Sequence, residues 1–589
     1  MDPKKMRALL ELGWRRKGAA KVMEAPIQKD TNKEDDTEER PTAENLHNLD
    51  NQDLTSDHFT SIRLGLSKCR AKHAKCNKTR GLYLPSRLID VGSSHQDPRL
   101  VLREEVEDRS YATLSHRWGV AKHITTTTAS LPDHRDSIPM DSLSDVFKRA
   151  VLITRELGLR YLWIDSLCIL QDSALDWEQE SAEMGSIFAS STITIGNIGP
   201  YDGLGQRERY DPYDGLGQTR KYNPFDLSVG SGSINLVYRK YRDLGCDTGQ
   251  LEGRAWIAQE RICASATLYC GGTRSWWECR TWLKTIGSLK FDSGDYEDGP
   301  ETHWPVKFRP IIHFIANALT SERQTGPSTA QNQKAGSDLL SDTTSRHSAT
   351  RTWMEVVEYY SHQELTFGTD RLPALSGLAK IFHKVIDDRY LAGHWLSQLH
   401  YSLLWHVPPG GYSLSRPEAS SFLAPSWSWA SHLFPVAHMQ WERLAVNKCY
   451  LEVLDHQVKT ADSNPFGRIT KDSQPSLRLR GPLVQAKLVL REKSGFYSLQ
   501  VGDDVVQWPR FDPSFHFESQ RKRMLGDVSL LLALRGNQSN IAVALILVRL
   551  QEDAQSGFYH RIGLVDWDSE RGRKDPFTTD TAVVDISLI

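Results

Sequence analysis

Between residues 108 and 280, short apolar runs alternate with stretches of helical period, and this alternation narrows the fold of the 589-residue chain more than any other feature. Tyr111–Ser115 is an apolar run of strand length. Ser142-Leu-Ser-Asp145 offers a capping box to a segment with Leu143, Val146, Phe147, Ala150, Ile153 and Leu157 on one stripe, and Gly158 stands where a helix would stop. Tyr161-Leu-Trp-Ile164 predicts a buried strand, Asp172 to Ala189 a helix aligned on Trp177, Ser181, Met184 and Phe188, and Thr192-Ile-Thr-Ile195 a third strand. Strands separated by helices of this length pair in parallel through right-handed crossovers, so the expectation is an α/β layered domain around a mostly parallel sheet. Gly253 to Ile262 and Ala266 to Cys270 add another helix and strand.

At ~150 residues per domain the chain has room for further units. Residues 1–60 pass from a basic start to an acidic continuation and read as a disordered tail, with 61–107 as a lead-in segment to an α/β domain over 108–318. Residues 319–350 trade aromatics for Ser, Thr, Gln and Gly and read as a disordered linker. A helical segment is expected over 351–446, with helices at Trp353–Tyr360, Ala374–Phe382 and Gly393–Trp405. A β-rich module is expected over 447–589, from runs at 450–454, 476–480, 483–490, 497–501, 528–534, 541–550 and 561–567. GPYDGLGQRERY at Gly199–Tyr210 is followed at once by DPYDGLGQTRKY at Asp211–Tyr222, a duplication that reads as an expanded surface loop, because two short units cannot stack into a solenoid.

Charge and hydropathy exclude several classes. A net charge of −2 gives no overall basic surface for nucleic acid. The longest apolar stretch, IAVALILV at Ile541–Val548, is far short of the ~20 residues of a membrane span. Eight Cys in so long a chain, with no secretory signal before them, predict a reduced, cytoplasmic protein without disulfides.

In open α/β sheets ligands bind beyond the carboxyl ends of the strands, which directs attention to Ser115-His116-Arg117-Trp118-Gly119, Asp165-Ser166-Leu167-Cys168 and Gly196-Asn197. The helix after Gly253 carries Arg254, Trp256, Gln259 and Glu260. Asp165 is either a carboxylate able to bind a ribose hydroxyl or act as acid or base, or a cap or ion-pair partner of Arg117 or Arg254. Glu260 divides the same way, its bland reading being a surface pair with Arg261 or Arg254. His116 is a general base or a packed histidine, and Cys168 reads as a small buried hydrophobe. The ligand-facing candidates are Ser115, Arg117, Trp118, Gly119, Ser166, Arg254, Trp256 and Gln259, with Asp165, Glu260 and His116 as candidate catalytic groups.

Cys69, His73 and Cys76 place three metal-binding side chains at i, i+4 and i+7 of a helical segment. A structural zinc needs four, only His95 lies near, and Cys263, Cys270 and Cys279 fall on separate elements, so the expectation is a packed helix with a solvated basic face and no metal.

Three blocks carry a family resemblance: YATLSHRWG at Tyr111–Gly119, YLWIDSLCILQDSALDWEQESAEMGSIFASSTITI at Tyr161–Ile195, and RAWIAQERICASATLYCGGTRSWWECR at Arg254–Arg280. In order and spacing they resemble the fungal heterokaryon incompatibility (HET) domain, and LPSRLIDVG at Leu84, TDRLPALSGLAKIF at Thr369, YLAGHW at Tyr390 and APSWSWAS at Ala424 extend the similarity over most of residues 65–435. Leu170 stands where the family commonly has Asn, and Ala255 where Gly is frequent. The resemblance implies a role in non-self recognition and programmed cell-death signalling through protein partners or self-association. It also implies a TIR-like, flavodoxin-like sheet, since the HET domain has been likened to the TIR fold. By that analogy the domain is an NAD glycohydrolase in which Asp165 or Glu260 stabilises an oxocarbenium-like ribosyl centre, with NAD as substrate and no resident cofactor. A non-catalytic scaffold, in which the blocks are only core, is the third reading.

Overall fold

The computed structural model describes residues 56–116, 124–197, 254–270, 275–280, 343–408, 422–439, 446–461, 464–490, 497–506, 509–512, 527–536, 541–550, 557–568 and 574–589, with the backbone of strands at 225–229, 232–236 and 283–286. All of these belong to one unit spanning Asp50–Ile589. The duplicated loop, Arg117, Trp118, Gly119 and most of the expected tail and linker lie outside the described residues.

Helices α1 (Ser56–Lys72) and α2 (Ala74–Asn77) precede strands β1 (Arg87–Asp90), β2 (Arg99–Leu102) and β3 (Tyr111–Ser115). Helix α3 (Asp145–Glu156) is capped by Ser144, whose hydroxyl accepts from Phe147 N, and it ends before Gly158 at φ +71°. It leads to β4 (Tyr161–Trp163), the single turn α4 (Asp165–Cys168), α5 (Ala174–Ser190) and β5 (Ile193–Asn197). A hairpin of β6 (Phe225–Val229) and β7 (Gly232–Leu236) follows, then α6 (Ala255–Cys263), β8 (Ala266–Cys270), β9 (Ser275–Cys279) and β10 (Leu283–Ile286).

Eight strands form one sheet in the order β10-β9-β8-β5-β3-β4-β1-β2. The central pairs β4–β3, β3–β5 and β5–β8 are parallel, as the alternating pattern predicts, while β1, β2, β9 and β10 add antiparallel edges. The chain steps from β3 outward to β4, then back across β3 to β5 and on to β8. Under the right-handed crossover rule this reversal sends α3 to one face and α5 and α6 to the other, and α5 and α6 do pack on each other.

Helices α7 (Thr343–Ser361) and α8 (Ser376–Ile386) cover the α5–α6 face. Both α1 and α7 begin earlier than expected, reaching back into the stretches read as tail and linker. The helix expected over Gly393–Trp405 does not form; the segment is a tight hairpin of Tyr390–Leu391 with His394–Trp395, a 3-10 turn and one short helix, Leu399–Ser402. Gly393 sits at φ +99°, and its carbonyl accepts from both Trp353 Nε1 and Trp429 Nε1, so indole packing overrides the local helical spacing.

The C-terminal strands are β11 (Val446–Cys449), β12 (Glu452–Gln457), β13 (Ser476–Leu490), β14 (Tyr497–Val501), β15 (Asp504–Val506), β16 (Arg510–Phe511), β17 (Asp527–Gly536), β18 (Ile541–Arg549), β19 (Phe558–Asp568) and β20 (Val583–Leu588). The two runs read as separate strands on either side of Gly481-Pro482 are the single strand β13. Its first half pairs with β20 and its second with β17, and the pairing continues through β18 and β19 back to β20. These five strands therefore close into a ring, which removes the exposed edges an open sheet would present.

The apolar run of β18 is explained by burial on both faces. Ala542, Ala544 and Ile546 join one core cluster with Leu530, Leu532 and Trp567, whereas Val543, Leu545 and Leu547 belong to the cluster that continues through the helical segment into the α/β sheet. No described helix is long and apolar enough to cross a membrane.

Candidate functional site

Ser115 closes β3, at the place in the strand order where the connection direction reverses, between β3 and β5. Crevices of open α/β sheets form at such points because the loops leaving two neighbouring strands diverge to opposite faces. Helix α6 brings Glu260 to this end of β3, and the Ser115 hydroxyl donates to Glu260 Oε2 at 2.5 Å. Arg254, at the N-terminal end of α6, donates through Nη1 to the His116 carbonyl at 2.8 Å. From the neighbouring strand, Asp165 opens α4 with its carboxylate 4.0 Å from His116 Nδ1 and accepts from Ser166 N at 2.7 Å. The His116 ring is held edge-on against Phe147, with centroids 5.1 Å apart. The fold thus gathers Ser115, His116, Asp165, Arg254 and Glu260 from three elements.

Glu260 is 3% exposed. Burial pushes its pKa up to about 7; the Asp165 charge acts in the same direction, while the Arg254 guanidinium and the Ser115 hydrogen bond oppose the rise. A carboxyl group poised near neutrality in a buried polar cluster can both give and take a proton. Of the two ion-pair partners considered from sequence, Arg261 instead binds Glu278 at 3.0 Å, while Arg254 acts on Glu260 inside the fold and not on its surface. Cys168 is fully buried and its thiol is pushed up to about 12, which suits the hydrophobic role expected of it.

Three other candidates face different neighbours. Gln259, one position before Glu260, is turned about 100° around the helix and accepts from Leu378 N at 3.2 Å, binding α6 to the helical segment. Trp256 packs edge-on against Trp177 and hydrogen-bonds Asp370. Ser166 is buried, and its carbonyl accepts from Thr126 N at 3.0 Å. Asp370 and Glu364, whose carbonyl accepts from Ala255 N, bring the helical segment to the start of α6. Sequence reasoning assigned neither a role, although Asp370 lies in the TDRLPALSG block.

A second polar cluster arises where no metal was expected. The helix that was to carry Cys69, His73 and Cys76 breaks at His73, and all three side chains turn inward rather than lining a solvated face. Strand β9 delivers Cys279 to them, with Sγ 3.6 Å from His73 Nδ1. Cys279 thus shares a site with His73, 206 positions away, a proximity invisible to local spacing.

In comparison with known families, residues 111–260 fit the family described as heterokaryon incompatibility protein (HET). No curated protein and no solved structure matches the chain. The matched span opens on the strand that carries Ser115 and ends on Glu260, so it encloses the first polar cluster from end to end. The chain therefore contains a heterokaryon incompatibility (HET) domain.

Proposed function

We propose that this protein acts in fungal non-self recognition, triggering programmed cell death through its HET domain, and that the trigger is chemical: cleavage of the nicotinamide glycosidic bond of NAD at the Ser115–Glu260 cluster. The observation that carries the chemical reading is the buried Glu260 carboxyl, bonded to Ser115 at the switch point of a parallel sheet. The strand order β4-β3-β5-β8, numbered along the chain as 2-1-3-4, matches the doubly wound order of flavodoxin-like sheets and supports the TIR-like reading. In this mechanism nicotinamide leaves with the bonding electron pair, Glu260 or Asp165 faces the ribosyl centre as positive charge develops on it while the other orients a ribose hydroxyl, and a water molecule adds to the ribosyl carbon and gives up its proton to solvent. Arg254 holds the backbone at His116 and favours the ionised form of Glu260 against its burial.

Signalling by protein contacts alone, through a partner or self-association, predicts a different outcome in the same experiment. Wild type and Glu260→Gln are expressed in a fungal cell while growth arrest, cellular NAD and protein abundance are followed together. Arrest with NAD loss, both absent from an equally abundant variant, is the expected result. Arrest at constant NAD would replace the chemical trigger with contact signalling, and abundant wild-type protein with no arrest under any tested partner would reject the cell-death role.

A further inference from the structure

We propose that Cys69, His73, Cys76 and Cys279 form a structural zinc site that fastens the segment preceding the HET domain to the edge of its sheet. The donor atoms of these four side chains lie within 4.8 Å of one another, and all four residues are buried. A tetrahedral zinc bound at ~2.3 Å to sulfur and ~2.0 Å to nitrogen separates its ligands by roughly 3.3–3.8 Å. The 3.6 Å between Cys279 Sγ and His73 Nδ1 falls inside that range, so Nδ1 is the ligating nitrogen and the ring proton resides on Nε2.

The local backbone is shaped for this. Helix α1 ends at Lys72, His73 adopts φ −98° and ψ 87°, and α2 restarts at Ala74, which turns Cys69 and Cys76 toward the same point. The turn is held by His73 N bonding the Cys69 carbonyl at 3.0 Å and Cys76 N bonding the His73 carbonyl at 3.0 Å. Cys279, the last residue of β9, pairs with Ala266 at the start of β8, so its position is set by the sheet and not by the lead-in.

Charge supports the same occupant. Three thiolates and a neutral imidazole around Zn²⁺ leave one net negative charge, and each thiol releases its proton to solvent on binding. Arg80 donates through Nη2 to Cys69 Sγ at 3.3 Å and through Nη1 to Asn77 Oδ1 at 2.8 Å. The buried Arg280, next to Cys279 in sequence, is oriented by Thr79 Oγ1 at 2.9 Å and the Cys263 carbonyl at 2.8 Å. Two guanidinium groups thus surround a cluster that ordinary apolar packing would not furnish with cations. No disulfide joins the described cysteines. Soft sulfur donors with one imidazole select zinc over magnesium or calcium.

The test is made on the full chain purified under reducing conditions from zinc-supplemented cells. Elemental analysis is expected to find about one zinc per chain, with iron and copper absent. A strong chelator should lower the melting temperature, Zn²⁺ alone should restore it and Mg²⁺ should not. Replacement by Co²⁺ should produce the visible bands of a tetrahedral thiolate site. Cys279→Ser should lose the metal, Cys279→His should retain it with weaker affinity, and Cys449→Ser, in the C-terminal module, should retain it fully. A folded, reduced chain with less than about a tenth of an equivalent of zinc and no thermal response to Zn²⁺ overturns the proposal. So does stoichiometric metal in a folded Cys279→Ser variant, or a disulfide among Cys69, Cys76 and Cys279 in protein from reducing cells.

Discussion

A carboxyl group removed from water resists ionisation even with a hydroxyl donor beside it, and at Glu260 that resistance has a measurable sign. Its folded-state pKa of about 7 stands above the ordinary 4.5, so between those values the folded chain holds a proton that the unfolded chain has released. Stability contributed by this group is therefore complete below about pH 4.5 and is lost as pH rises through 7, by on the order of 3 kcal/mol for the full shift. Glu260→Gln, which keeps the shape and removes the titration, should flatten this dependence. Urea unfolding of both proteins at pH 5 and pH 7.5 checks it, and an unchanged difference between them at the two pH values would mean that Glu260 is ionised throughout. Ser115, His116, Asp165 and Glu260 were legible in the sequence because strand ends and helix positions place them without further information. Gln259 was not, since its direction depends on which neighbour covers the next face of the helix.

Helix α8 approaches α5 through two glycines. A Cβ on Gly377 would lie 2.8 Å from Gly185 N and 2.9 Å from Gln259 Oε1, and one on Gly185 would lie 3.0 Å from the Gly377 carbonyl carbon. Gly377→Ala should therefore destabilise the protein despite the ~1 kcal/mol of helix propensity that alanine supplies, with overpacking costing roughly 1–3 kcal/mol. Thermal denaturation of Gly377→Ala, expected below wild type, reads this directly. The C-terminal ring meets the helical segment through Arg561, whose buried guanidinium donates to Asp512 Oδ2 at 2.6 Å and to the Trp405 carbonyl, and lies 3.6 Å from the Trp405 ring centroid. Arg561→Met leaves Asp512 in a buried site that already pushes its pKa up to about 6, a loss on the order of 3–5 kcal/mol. Adding Asp512→Leu should recover much of that loss in a double-mutant cycle; a purely additive result would show that the pair is uncoupled. Among the elements, the parallel strands and their helices could be read from periodicity because each repeats an apolar pattern locally. Gly393–Trp405 could not, because its conformation answers to Trp353 and Trp429.

At the scale of the molecule, the core does not stop at the end of the HET domain. One continuous apolar cluster links the α/β sheet, α7, α8 and one face of β17 to β20. Strand β20 closes the ring, and the Ile589 carbonyl accepts from Ser426 N at 3.2 Å and from Ser426 Oγ. Removal of residues 583–589 should open the ring, expose the edges of β13 and β19, and lower both solubility and melting temperature. Size-exclusion chromatography of the truncated chain beside wild type tests this, and a monomer with unaltered melting would show that the ring does not depend on β20. Local pattern along the chain was enough for the βαβαβ order, the strand-end residues of the first cluster and the β-rich character of the C-terminus, because these follow from patterns within ~20 residues. Tertiary structure alone decided that Cys279 meets His73, that the ring closes and that helix and ring share a core. Those contacts join residues too far apart in sequence for any local pattern to encode, and in the fold they depend on the direction that the sheet gives each chain segment.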